Sequence, residues 1–193
     1  MPARPNLQLR EPSLELLPGY EAAVAQGWSP NNVRDVSGEH LAAIRTDAVA
    51  FIASLLSQTG TVTLPDGAQI PKLPSRLYWM WDGAFCGQIG LRWQPGTDAL
   101  PSHVLGHVGY AVVPWKRGRG YATEALRQVL DVARGVGLGR LEITTDKGNA
   151  ASARVIEANG GVFVEEFVQP RYGGEVRLRY VIDLAAADGG RPL

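Results

Sequence analysis

The run Val112-Val113-Pro114-Trp115-Lys116-Arg117-Gly118-Arg119-Gly120-Tyr121-Ala122-Thr123 carries the densest chemistry in the chain. A strand pattern stops at Pro114, a turn of Gly and Arg follows, and an amphipathic helical pattern begins at once. Glycines let backbone N–H groups converge on one point with no side chain in the way. A helix N-terminus adds unpaired donors and a partial positive charge. Together these predict a cradle for a phosphate or pyrophosphate, with Lys116, Arg117 and Arg119 supplying full charges around it. The bland alternative is a tight turn with a solvated basic face. A P-loop would need GxxxxGK[ST], which is absent. Gly118-x-Gly120-x-x-Thr123 lacks the third glycine of a dinucleotide fingerprint, and Glu142 falls near the start of its strand instead of its end.

The surrounding pattern must position that turn. Residues 7–9 alternate as a short strand, 18–27 read as a short helix, and 39–57 as a longer one with Leu41, Ile44, Ala48, Phe51, Ile52 and Leu55 in a stripe. A Gly-, Thr- and Pro-rich loop covers 58–75. Strands at 77–81 and 85–93 flank the hairpin signal Asp82-Gly83. A further strand spans 104–113, with His107, Gly109, Ala111 and Val113 on one face and Val108, Tyr110 and Val112 on the other. The helix at 120–135 has a complete apolar stripe; a strand at 140–145, a helix at 149–159 and strands at 162–168 and 176–184 close the order. That order is mixed α/β.

Composition narrows the function classes. The 193 residues hold 19 Lys+Arg and 19 Asp+Glu, and this zero balance argues against dedicated nucleic-acid binding. Cys86 is the single cysteine, which excludes an internal disulfide and a Cys-based zinc site, and three scattered histidines predict no metal centre. No apolar run reaches the roughly 18–20 residues of a membrane span, and no signal peptide is evident. The expectation is a soluble cytoplasmic protein with no membrane or nucleic-acid partner.

Arg117-x-x-Gly120-x-Ala122 matches the Q/R-x-x-G-x-G/A signature of the GNAT superfamily, the GCN5-related N-acetyltransferases. Asn149-Ala150-Ala151-Ser152 through Asn159-Gly160-Gly161 resembles that family's N-x-x-[SA] helix ending in Gly. The runs GHVGYAVVPWKRGRGYATEAL and TTDKGNAASARVIEANGG are similar to a group of bacterial predicted acetyltransferases of unassigned substrate. The resemblance implies a single-domain GNAT fold over 6–184, with flexible tails at 1–5 and 185–193. It implies about seven strands in a mixed, largely antiparallel sheet, four helices, and two splayed central strands.

The resemblance also assigns roles. Backbone groups of Val112 and Val113 would pair with the pantetheine arm of acetyl-CoA, the Val113 amide serving the thioester carbonyl oxygen. The amides of Arg117, Gly118, Arg119, Gly120, Tyr121 and Ala122, with Thr123, would hold the pyrophosphate, and Asn149 would contact the pantetheine. Many relatives place a base carboxylate about eleven residues before the signature, which here is Gly106; His107 follows it and would either take the amine proton or be a buried structural histidine bonded to a backbone carbonyl. The phenol usual on the Asn helix is replaced by Ile156, leaving Ser152 or Tyr172 to assist the leaving thiolate. Trp79, Trp81 and Trp93 read as core more than pocket, and Arg92 as either a carboxylate clamp or a solvated strand residue. The implied activity is acetyl transfer from acetyl-CoA directly to a primary amine of a small molecule or peptide, without a metal; a homodimer is left open. The rival readings are a non-catalytic acyl-CoA-binding module, acting as sensor or carrier, and a dinucleotide-binding enzyme.

Overall fold

Helix α4 (Tyr121–Gly135) is where sequence pattern and packing agree most closely. Ala125, Leu126, Val129 and Ala133 follow one another at steps of one to four along a single face and are fully buried. That face lies on a sheet made by β1 (Gln8–Arg10), β4 (Ser75–Trp81), β5 (Phe85–Arg92) and β6 (Val108–Val112), in the order β1-β4-β5-β6. Met80, Ile89, Leu91 and Val108 meet the helix from below. A second sheet, in the order β7-β9-β8, is built from β7 (Arg140–Asp146), β8 (Val162–Val168) and β9 (Val176–Asp183). The computed structural model describes residues 5–64, 66–172 and 174–185. Of the expected tails at 1–5 and 185–193, residues 1–4 and 186–193 lie outside the described residues.

The opposite face of the first sheet carries a second core. Trp79, Phe85, Ala111 and Val113 pack against α1 (Leu17–Ala25), α2 (Ser37–Thr46) and α3 (Ala48–Leu56). Tyr20 is its centre, stacked on Trp79 at 4.9 Å and edge-on to Trp28 at 5.8 Å. Trp79 is therefore core; Trp81 and Trp93 are half-buried against it and its neighbour.

The fold is the mixed α/β arrangement with splayed central strands that the sequence implies, and two segments refine the element count. The helix expected over 39–57 is two helices. Asp47 between them is extended (φ −158°, ψ 96°), and its side chain accepts from the Ala50 N–H at 2.9 Å, so it ends one helix and caps the next. The expected loop over 58–75 contains a hairpin of β2 (Thr61–Thr63) and β3 (Gln69–Pro71), paired Thr61 to Pro71. The described residues thus form nine strands and five α-helices, the fifth being α5 (Ala150–Glu157). No helix among them is long and apolar enough to cross a membrane.

Candidate active site

The two sheets meet only at one end. The His107 N–H donates to the Glu142 carbonyl at 2.8 Å, and the Glu142 N–H donates to His107 Nδ1 at 2.9 Å. Beyond that link β6 and β7 belong to different sheets, and a wedge opens between them. Gly106 lets the link close: a Cβ there would stand 3.0 Å from the Glu142 oxygen and 3.3 Å from Ile143 Cα. Any side chain at Gly106 would press on the β7 backbone and require it to give by a few tenths of an ångström.

The imidazole thus does the work of a strand carbonyl. A backbone N–H can only donate, so at 2.9 Å Nδ1 must accept, and the neutral ring carries its proton on Nε2. His107 is 1% exposed, and burial pushes its pKa below the usual histidine value. A lone pair committed to Glu142 is not available to an amine. The structure places the expected base as a strut at the closed end of the wedge.

The wedge is a cleft of about 660 Å³, a size suited to an extended cofactor arm. At its mouth the 3-10 turn Pro114–Lys116 leads into Gly120, which has φ +79° and is the N-cap of α4. That left-handed conformation aims the following amides outward and is open to few residues other than glycine. Arg117, Gly118, Gly120, Tyr121, Ala122 and Thr123 all line the cleft, as the sequence predicts. Arg119 does not. Lys116 lines it too, but Nζ is 2.5 Å from Asp82 Oδ1, while Tyr121 donates to Asp82 Oδ2. Burial alone would raise the Asp82 pKa; these two bonds, together with the Ala84 N–H and the Cys86 thiol, overcome it and hold the carboxyl at about 2. Asp82, in the β4–β5 turn, therefore tethers the start of α4 to the sheet.

Backbone alternation assigns the cleft wall. Val113 turns away: its N–H donates to Cys86 and its carbonyl accepts from Lys116, both at 3.0 Å, and its side chain is in the second core. It cannot serve a thioester oxygen. Val112 and Tyr110 face the wedge, since Arg117 Nε reaches the Val112 carbonyl at 3.2 Å and Asn32 Nδ2 the Tyr110 carbonyl at 3.0 Å. In an extended strand the N–H and C=O of one residue point the same way. The Tyr110 and Val112 amides are therefore the donors presented to the cleft.

On the far wall Asn149 caps α5, its Oδ1 accepting from the Ser152 N–H at 3.0 Å. Ser152 Oγ lies 2.6 Å from the hydroxyl of Tyr110, a residue the sequence reading assigned only to a strand face. Burial pushes the Tyr110 hydroxyl up to about 12, although the serine contact opposes the shift. The alternation that put Tyr110 beside Val112 was the available signal. Tyr172 is elsewhere: its hydroxyl donates to the His103 carbonyl at 3.0 Å, and it does not line the cleft.

A glycine-bearing helix start, a splayed strand pair and a capped second helix thus line one cleft. A family model described as the acetyltransferase (GNAT) domain matches residues 9–162. No curated protein matches the chain. Among solved structures it is similar to Mycobacterium smegmatis RimJ bound to a CoA disulfide, with 19% identity, a TM-score of 0.67, and 95% of this chain and 85% of that one covered. It is similar to the Salmonella typhimurium acetyltransferase that modifies the N-terminal serine of ribosomal protein L7/L12 (15%, TM-score 0.59, coverage 92% and 94%). It is also similar to the microcin C7 self-immunity acetyltransferase MccE with acetyl-CoA and AMP (13%, TM-score 0.58, coverage 92% of each). The chain belongs to the GNAT acetyltransferase domain family.

Proposed function

We propose that the protein transfers the acetyl group of acetyl-CoA directly to a primary amine of a small molecule or peptide, with residues 6–184 as the acetyltransferase domain. The observation that carries this reading is the shared cleft: the glycine-bearing start of α4, the free amides of β6 and the Tyr110–Ser152 pair all line it. The amides of Arg117, Gly118, Gly120, Tyr121 and Ala122 hold the pyrophosphate, and the Val112 backbone pairs with the pantetheine. The Tyr110 or Val112 N–H faces the thioester oxygen and stabilises the charge that grows there.

Attack by the amine lone pair forms the C–N bond and the C–S bond breaks. The thiolate leaves towards Tyr110 and Ser152, which donate hydrogen bonds to it. The amine proton goes to solvent, because His107 is engaged. An acceptor that is partly neutral at pH 7 suits such a site: an α-amine near 7.7–8 does so far better than a lysine amine near 10.4.

The test is a thermal-shift titration against acetyl-CoA, CoA and NAD, followed by an amine screen that detects released thiol. At a hundred times its Kd a ligand stabilises by about 2.7 kcal/mol, or about 5–10 °C for a chain this long. A shift with acetyl-CoA and thiol release with an amine are expected. Binding without thiol release on any amine favours the non-catalytic acyl-CoA-binding module; a shift with NAD alone overturns both.

A further inference from the structure

Two glycines face each other across the first sheet. Gly90 on β5 pairs with Gly109 on β6, and both belong to the face that also carries Gln88, Arg92 and Ala111. No Cβ covers the sheet there. Into that dent leans Arg92: a Cβ on Gly109 would stand 3.3 Å from its Nη2. Gly109 also lines the cleft, next to Tyr110, whose amide faces the thioester in the proposed mechanism. The α1–α2 loop crosses the same face one step away, where Gln88 Nε2 reaches the Pro30 carbonyl at 3.3 Å.

Arg92 is an unusual surface arginine. It is exposed, and its guanidinium lies over Gly109, a residue of the cleft wall. Among the described residues no carboxylate pairs with it and no acceptor takes its guanidinium hydrogens. Its guanidinium stays charged at neutral pH. Across the ladder the Arg92 N–H donates to the His107 carbonyl at 2.8 Å, so this strand position is held by the closed end of the wedge.

We propose that Arg92 is the acceptor-specificity residue, and that the acceptor is a small molecule carrying a carboxylate a few bonds from its primary amine. This inference rests on the acetyl-transfer reading. A planar guanidinium with free donors matches a carboxylate bidentately. Adjacent strand residues are about 3.3 Å apart, so an anion seated on Arg92 beside Gly109 places its amine close to the Tyr110 amide only if the molecule is short. A long peptide or polyamine would not use this charge.

The experiment screens free amino acids against their α-carboxamides, and phosphoethanolamine against ethanolamine, with wild type, Arg92→Met and Arg92→Lys. Acetyl-CoA thermal shifts run alongside as the folding and donor-site control. Wild type should prefer the acids, and Arg92→Met should raise KM for them about 10–100-fold and abolish the preference over the amides. Arg92→Lys should fall between. Phosphoethanolamine outcompeting every amino acid would replace the carboxylate with a phosphate and overturn the proposal. So would equal use of acids and amides, or no turnover of any acid by an enzyme that binds acetyl-CoA. Failure to bind acetyl-CoA would instead refute the acetyl-transfer reading itself.

Discussion

Replacing His107 by alanine should unfold the closed end of the wedge more than it harms the chemistry. The substitution leaves the Glu142 N–H without the acceptor that stands 2.9 Å away. A buried unsatisfied donor costs about 1–3 kcal/mol, and removing a fully buried ring adds a cavity term. A combined loss of about 3 kcal/mol corresponds to a Tm lowered by about 6–12 °C for this chain length. The pH dependence has a defined sign. The folded state depresses the His107 pKa, so its contribution is complete above the unfolded value of about 6.5 and is lost as pH falls below it. The difference between wild type and His107→Ala should therefore shrink from pH 7 to pH 5. His107→Asn separates the two roles, since Asn Oδ1 sits near the place of imidazole Nδ1 and accepts the same N–H without titrating. It should recover at least half of the lost Tm and keep turnover within about threefold of wild type. General-base loss would instead lower kcat by about 100-fold or more. A His107→Ala protein as stable as wild type, with that loss of turnover in both variants, would refute the strut.

Other perturbations reach the remaining parts of the site. Tyr110→Phe and Ser152→Ala should each lower kcat by about 10–100-fold in a thiol-release assay, with acetyl-CoA affinity changed by less than about threefold. Gly120→Ala forces a Cβ into a left-handed position worth about 1–2 kcal/mol of strain and should weaken acetyl-CoA binding about tenfold by calorimetry. Asp82 has a depressed pKa, so its contribution is present above about pH 4 and is lost as pH falls towards about 2. Asp82→Asn should flatten that acid limb in a Tm-versus-pH series, by about 1 kcal/mol because the carboxylate is partly exposed.

The parts legible in the sequence are those written in local pattern. The α4 stripe, the Asp82-Gly83 turn and the Gly118-x-Gly120 loop each declare themselves within a few residues, and each lies where the pattern puts it. The α2–α3 break is not legible because the apolar stripe runs through it: Ile44, Ala48 and Phe51 keep helical spacing across Asp47, and only the Asp47 cap interrupts the backbone. The β2–β3 hairpin was hidden because its strands are three residues long and mostly exposed, which leaves almost no hydrophobic alternation to read. The orientations of the Val113 amide and the His107 lone pair are not legible in local sequence for one reason. Both depend on which neighbour a strand residue faces, and that is settled by β5 and β7, 27 and 35 residues away in the chain.

That last point bears on how the wedge is held open. A splayed strand pair leaves backbone donors without partners, which is unstable unless something fixes the angle. Here one end is clamped by Gly106 and His107 against Glu142, and at the other Asp82 ties Lys116 and Tyr121 to the β4–β5 turn. Between them Asn32 and Arg117 occupy the outward carbonyls of Tyr110 and Val112, satisfying acceptors while leaving the amides of the same residues for a ligand. The cleft is thus an edge whose acceptors are answered by the protein and whose donors are not. Such an edge suits a ligand rich in carbonyl and phosphate oxygens, which is the chemistry of the acetyl-CoA donor proposed above.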